Sequence, residues 1–173
     1  MPPSGGTGPL VSRQLLQQQR NSLSPLLVIG GTPAEREAVA LEFHRVSPLR
    51  LGPLVTLDCA SQEARLRDAL HHWMNRAGRP QASNPMWSAE RGTLFLESIG
   101  SLSPDAQQLL LLFTNRCSTL SSERDGGWTG RLAAGSDEDL WDLVAGGRFV
   151  GGLADGLDKI RVELESHRHG GAA

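Results

Sequence analysis

The chain has 173 residues, enough for one domain that buries about two thirds of its unfolded surface without staples. Its 39% hydrophobic and 21% charged residues are ordinary for a globular protein, and a net charge of −2 with scattered arginines and a single lysine, Lys159, gives no electrostatic ground for nucleic-acid binding. Cys59 and Cys117 are too few and too far apart for a disulfide framework or a zinc site, no apolar run reaches the ~18 residues of a membrane span, and residues 1–9 lack both parts of a signal peptide, so the expected location is the cytoplasm.

Residues 1–24 read as a flexible leader in which Val11–Asn21, rich in Gln, predicts a short polar helix carrying Leu15 and Leu16. The core is expected over 25–165. Leu26–Ile29 predicts a buried strand, Gly30-Gly31 a tight turn, and Pro33–Val46 a helix with Val39, Phe43 and Val46 on one face. Leu54–Leu57 follows as a second strand and Gln62–Ala77 as a helix with Leu66, Ala69, Leu70, Trp73 and Met74 at helical spacing. Thr93–Leu96 is a third strand, and Ser103-Pro104-Asp105 caps a helix running to Arg116. Leu132–Ala134 predicts a fourth strand, Asp137–Ala145 a helix, and alternating Ile160, Val162 and Leu164 a fifth strand. Gly78–Arg91 and Ser118–Gly130 read as long irregular loops, and 166–173 as a disordered tail. Strand–helix alternation of this kind implies an α/β three-layer sandwich with a mainly parallel five-stranded sheet.

The stretch from Leu26 to Glu37 has the layout of a phosphate-binding loop without its chemistry. Such a loop needs glycines that turn backbone N–H groups toward phosphate and a Lys that reaches the β- and γ-phosphates. Here Pro33 has no N–H, and Glu35 puts a carboxylate where the anion would sit. Thr32-Pro33-Ala34-Glu35 instead reads as a capping box with Pro at the first helical position, so the helix satisfies its own free N–H groups.

Four further pieces carry a resemblance: His44-Arg45-Val46-Ser47-Pro48, Asp58-Cys59-Ala60, Gly92-Thr93-Leu94-Phe95-Leu96 and Gly147-Arg148-Phe149. In this order and at these spacings they resemble the AAA+ ATPase domain of bacterial enhancer-binding proteins, the activators of sigma-54 RNA polymerase, over about residues 25–164. That resemblance implies a P-loop NTPase fold and a nucleotide site at Gly30, Gly31, Thr32, Arg36, Glu37, Glu97, Ser98, Ser136 and Asp137. It also implies that the site is vestigial. Arg36 stands at the family's P-loop Lys, Glu97-Ser98 at its acidic pair, and Ser136-Asp137 at its Thr-Asn sensor. The two arginines that reach a neighbouring subunit fall on Val150 and Gly156. Losing arginine fingers costs roughly 10³–10⁵ in rate, so the expectation is a pseudo-ATPase with no catalytic residues, no metal and no cofactor.

The resemblance also leaves out the family's sigma-54-gripping loop tip, its helical lid and its DNA-reading helices, so neither sigma-54 remodelling nor direct DNA contact is expected. The expected role is a regulatory or scaffolding module acting on a protein partner, an intact AAA+ relative being the candidate, with Trp87, Trp128 and Arg148 as contact residues. The alternative is a regulator that binds ATP or ADP with Mg²⁺ through Gly30, Gly31, Arg36 and Glu97 without hydrolysis. No nucleophile–base pair supports an enzyme of another chemistry, and adjacent His71-His72 diverge on a helix rather than forming a metal pair.

Overall fold

A computed structural model describes residues 11–75, 83–119 and 127–165. Residues 1–10 of the predicted leader, the tail 166–173, the start of the first predicted loop and the middle of the second lie outside the described residues. Five strands, β1 (Leu26–Ile29), β2 (Leu54–Asp58), β3 (Thr93–Glu97), β4 (Arg131–Ser136) and β5 (Ile160–Glu163), form one parallel sheet in the order β2-β3-β4-β1-β5. Every residue of β1, β3 and β4 is buried, as central strands covered on both faces must be, whereas edge strands β2 and β5 are partly open. The α/β class, the parallel pairing and the five strands agree with the sequence expectation.

The helices are α1 (Arg13–Gln18), α2 (Pro33–Val46), α3 (Glu63–Asn75), α4 (Pro85–Ser88), α5 (Pro104–Thr119), α6 (Leu140–Ala145) and α7 (Gly151–Leu157). They divide the core by strand parity. Leu26, Val28, Phe95 and Ala133 pack with Val39, Ala40 and Phe43 of α2 on one face. Leu27, Ile29, Leu94, Leu96 and Ala134 pack on the other with α3, α5, α6 and α7. Val11, ahead of α1, is also buried on the α2 face.

Three differences from the predicted elements have local causes. The helix predicted from Asp137 starts at Leu140, because the Asp139 carboxylate accepts from Trp141 N–H at 2.9 Å and caps it there. Within the predicted loop before Arg91, Asn84 caps the short helix α4 by accepting from Met86 N–H at 2.9 Å. Helix α7 falls where no element was predicted; Leu153, Ala154 and Leu157 form its buried stripe.

Candidate functional site at the β1–α2 turn

The turn after β1 is built from two glycines with left-handed backbone, φ +81° at Gly30 and +62° at Gly31, a conformation a side chain resists. There is also no room for one. A Cβ on Gly30 would strike the Leu164 carbonyl, and a Cβ on Gly31 would lie 2.8 Å from both the Glu35 carboxylate and the Leu164 side chain. Leu164 is held there by its N–H, which donates to the Ile29 carbonyl at 2.7 Å.

Helix α2 then closes its own first turn. Thr32 N–H donates to Glu35 Oε2 at 2.7 Å and Glu35 N–H to Thr32 Oγ1 at 3.2 Å, the reciprocal capping box that the sequence predicts. Gly30 N–H donates to the Ser136 carbonyl at 2.9 Å and Arg36 N–H to the Thr32 carbonyl at 3.0 Å. Pro33 has none to give. Between Gly30 and Arg36 this leaves the amides of Gly31 and Ala34 for anything else.

Arg36 fills the space inside the turn. It is 3% exposed, and its side chain forms an ion pair with Glu97 at the end of β3. Nε donates to Glu97 Oε1 at 3.0 Å and Oε2 at 3.1 Å, and Nη2 donates to Oε1. Nη1 donates to the carbonyls of Gly30 at 2.8 Å and Gly31 at 3.0 Å. Four of the five guanidinium N–H groups are therefore engaged. A phosphate-binding loop aims N–H groups at its ligand; this turn aims carbonyls at a cation. Its polarity is inverted.

Gly135 of β4 makes the pairing sterically feasible. A Cβ there would sit 2.5 Å from Glu97 Oε2, 3.0 Å from Phe95 Cζ and 3.3 Å from Arg36 Cδ. Sequence reasoning passed over this residue. It lies one residue past the predicted strand Leu132–Ala134; the observed β4 runs on to Ser136 and puts it inside a strand, where a glycine often marks close approach of another group.

The sequence profile of the sigma-54 interaction domain matches residues 10–163. The chain belongs to the sigma-54 interaction domain family. It is 31% identical over 159 residues to the DNA-binding transcriptional activator HyfR of Escherichia coli (strain K12), an alignment covering 87% of this chain and 24% of HyfR. To the transcriptional regulatory protein ZraR of Salmonella typhimurium it is 32% identical over 149 residues, covering 83% of this chain and 34% of ZraR. The chain thus spans about a quarter to a third of the length of these curated relatives.

Among solved structures, NtrX from Brucella abortus in complex with ATP superposes with a TM-score of 0.69 at 23% identity, covering 88% of this chain and 34% of NtrX. The P-loop NTPase domain of a sigma-54 transport activator from E. coli gives 0.61 at 19% identity, covering 88% and 98%. At these identities the likeness shows the fold, that of a P-loop NTPase.

In this sigma-54 interaction domain the structure gathers Gly30, Gly31, Thr32, Arg36, Glu97, Ser98 and Ser136 around one corner of the sheet. Ser98 has a left-handed backbone, φ +55°, and its hydroxyl donates to Glu97 Oε1 at 3.3 Å. Ser136 is fully buried and donates to the Glu138 carbonyl at 2.6 Å. Two residues leave the cluster: Glu37 accepts from Thr56 of β2 at 2.8 Å, and Asp137 is exposed. Cys59, beside the site, is no nucleophile at neutral pH, because burial, then the charges of Asp58, Glu97 and Glu63, push its thiol up to about 12.

Of the anticipated contact residues, Arg148 is exposed and paired with Glu138 at 2.9 Å. The two tryptophans are each partly covered by another ring. Trp87 packs edge-on to Trp73 with ring centroids 4.4 Å apart, and Trp128 packs edge-on to Phe113 at 5.5 Å while donating to the Met86 carbonyl at 2.8 Å. Both are half-buried, and the exposed tryptophan is Trp141. Among the described residues no three His, Cys, Asp or Glu side chains are grouped to hold a metal, and no helix is long and apolar enough to cross a membrane.

Proposed function

We propose that this sigma-54 interaction domain is a non-catalytic core that serves transcription regulation through protein contacts, as a regulatory or scaffolding module. The observation that carries the reading is the use of Arg36. A guanidinium at the P-loop Lys position is buried, paired with Glu97 and bound to the two carbonyls of the turn. Seating a triphosphate would require breaking that pair, turning both carbonyls away and opening the capping box, with Glu97 then left beside the phosphate charge. Replacing a buried ion pair's partner typically costs several kcal/mol, and the two free amides of the turn offer little in return. The residues present do not fit ATP and Mg²⁺, and no catalytic step is assigned to them. Ser98 has no basicity to activate water, and Val150 and Gly156 supply no cation to a neighbouring site.

Isothermal titration with Mg-ATP and Mg-ADP tests this directly. No binding heat is expected up to millimolar nucleotide, and micromolar affinity would overturn the reading. One observation favours a second reading, a nucleotide-responsive regulator without hydrolysis: Arg36 and Glu97 are already side by side at the turn. It requires Arg36 to swing onto the phosphates, so it predicts a nucleotide-dependent rise in Tm that vanishes in Arg36→Ala.

A further inference from the structure

The far end of α2 carries a different arrangement of arginines. Arg45 in its last turn, Arg50 in the following turn and Arg20 after α1 line one cleft of about 370 Å³ between α1 and α2, with Leu16 and Val46 forming its apolar part. All three arginines are exposed, and among the described residues none is paired with a carboxylate. No Asp or Glu lines the cleft.

Three other arginines are held by carboxylates: Arg36 by Glu97, Arg148 by Glu138, and Arg161 by Asp139, Asp158 and Glu163. Three guanidiniums without carboxylate partners around an apolar floor leave both charge and apolar contact to be completed from outside. We propose that this cleft docks an acidic amphipathic segment of a protein partner, its carboxylates on Arg20, Arg45 and Arg50 and an apolar side chain against Leu16 and Val46.

The charge pattern favours a peptide over nucleic acid. The net charge is −2, the chain's other arginines are scattered rather than gathered with these into a stripe, and no aromatic ring lines the cleft for base stacking. Guanidinium forks suit carboxylates bidentately, and the apolar floor discriminates a leucine-bearing peptide from a bare polyanion. The proposal names the partner chemistry of the interaction module described above and rests on that reading for its role.

Fluorescence anisotropy on the full chain without nucleotide tests it. The probe is a labelled acidic peptide carrying leucine at every third or fourth position. Saturable binding that weakens as salt is raised is expected. Reversing two charges in Arg45→Glu/Arg50→Glu should weaken it roughly tenfold or more. These side chains are exposed, so circular dichroism should show the double variant folded. The proposal falls if the peptide fails to bind, if the double variant binds equally, if a leucine-to-serine peptide binds as well, or if a single-stranded oligonucleotide binds more tightly. Peptide binding together with micromolar Mg-ATP affinity would sink the silent-pocket reading and leave this docking face standing.

Discussion

Helix α2 has an arginine near each end, and the two are treated in opposite ways. Arg36 and Arg45 are nine residues apart, about 14 Å along the axis. Arg36 lies in the first turn, where the helix dipole opposes a cation, and is buried; Arg45 lies in the last turn, where the dipole favours one, and is exposed. Each is stable for a different reason. At Arg36 the protein supplies its own counter-charge from β3 and its own acceptors from the turn. At Arg45 water and the last-turn carbonyls suffice, and no counter-charge is built. The comparison separates two kinds of corner: a saturated one at the β1–α2 turn, and an unsaturated one at the opposite end of the helix.

The largest effect is expected from breaking the saturated end. Glu97→Ala leaves a buried guanidinium without its carboxylate, and removing one partner of a buried pair costs about 3–5 kcal/mol. For a domain of this size that lowers Tm on the order of 10 °C, measurable by calorimetry or urea titration. Replacing both partners, Arg36→Met with Glu97→Leu, is expected to restore most of the loss, because the desolvation of two charges disappears with their attraction. A double variant as unstable as Glu97→Ala would mean that the Gly30 and Gly31 carbonyls, rather than Glu97, are what Arg36 chiefly serves. Gly135→Ala comes next. Its Cβ would sit 2.5 Å from Glu97 Oε2 inside a fully buried strand, so the pair or the strand must shift, at about 1–3 kcal/mol. Equilibrium unfolding of the variant with its m-value checks this.

Thr32→Ala is a milder way to disturb the same corner. It removes the hydroxyl that accepts from Glu35 N–H and should cost about 1 kcal/mol. If the cap contributes to keeping anions out, the variant should also gain weak affinity for inorganic phosphate, read as a Tm rise at millimolar phosphate. No such rise would place the exclusion on Arg36 and Glu97 alone.

The cap and the ion pair differ in how legible they were. Thr32 and Glu35 are three residues apart, so local geometry alone makes them meet, and the sequence expectation matches the hydrogen bonds. Arg36 and Glu97 are 61 residues apart. Each stood out singly, against the P-loop Lys and the acidic pair, but their contact follows from α2 lying across β3 and β4 and from the missing side chain at Gly135. Strands and long helices were readable because their apolar periodicity is local. Helix α7 was not, since its glycines mask a short stripe that exists only by packing on α5. The partial cover of Trp87 and Trp128 was hidden for the same reason, since it comes from Trp73 and Phe113 rather than from their neighbours in sequence.

The smallest effect sharpens the contrast at an intermediate level of burial. Arg161 of β5 is bound at once by Asp139, Asp158 and Glu163, with Nη1 at 2.7 Å from Asp139 and Nη2 at 2.7 Å from Asp158. Its hydrogen bonds hold the carboxyls of both Asp139 and Asp158 below the usual carboxylate range. A carboxylate whose folded pKa is depressed binds fewer protons than in the unfolded chain, so its stabilisation is fully present above the unfolded value near 3.9 and is lost as pH falls through the folded value. The cluster is partly open to solvent, with Arg161 28% and Asp139 31% exposed, so screening keeps the effect small. Arg161→Gln should therefore lower stability slightly at neutral pH and make its decline below pH ~4 shallower than in the parent. Glu97→Gln, by contrast, should cost several-fold more at neutral pH, because a buried pair has no water to replace the lost charge. Parallel urea titrations of the two variants at neutral pH would separate a half-open charge cluster from a sealed one.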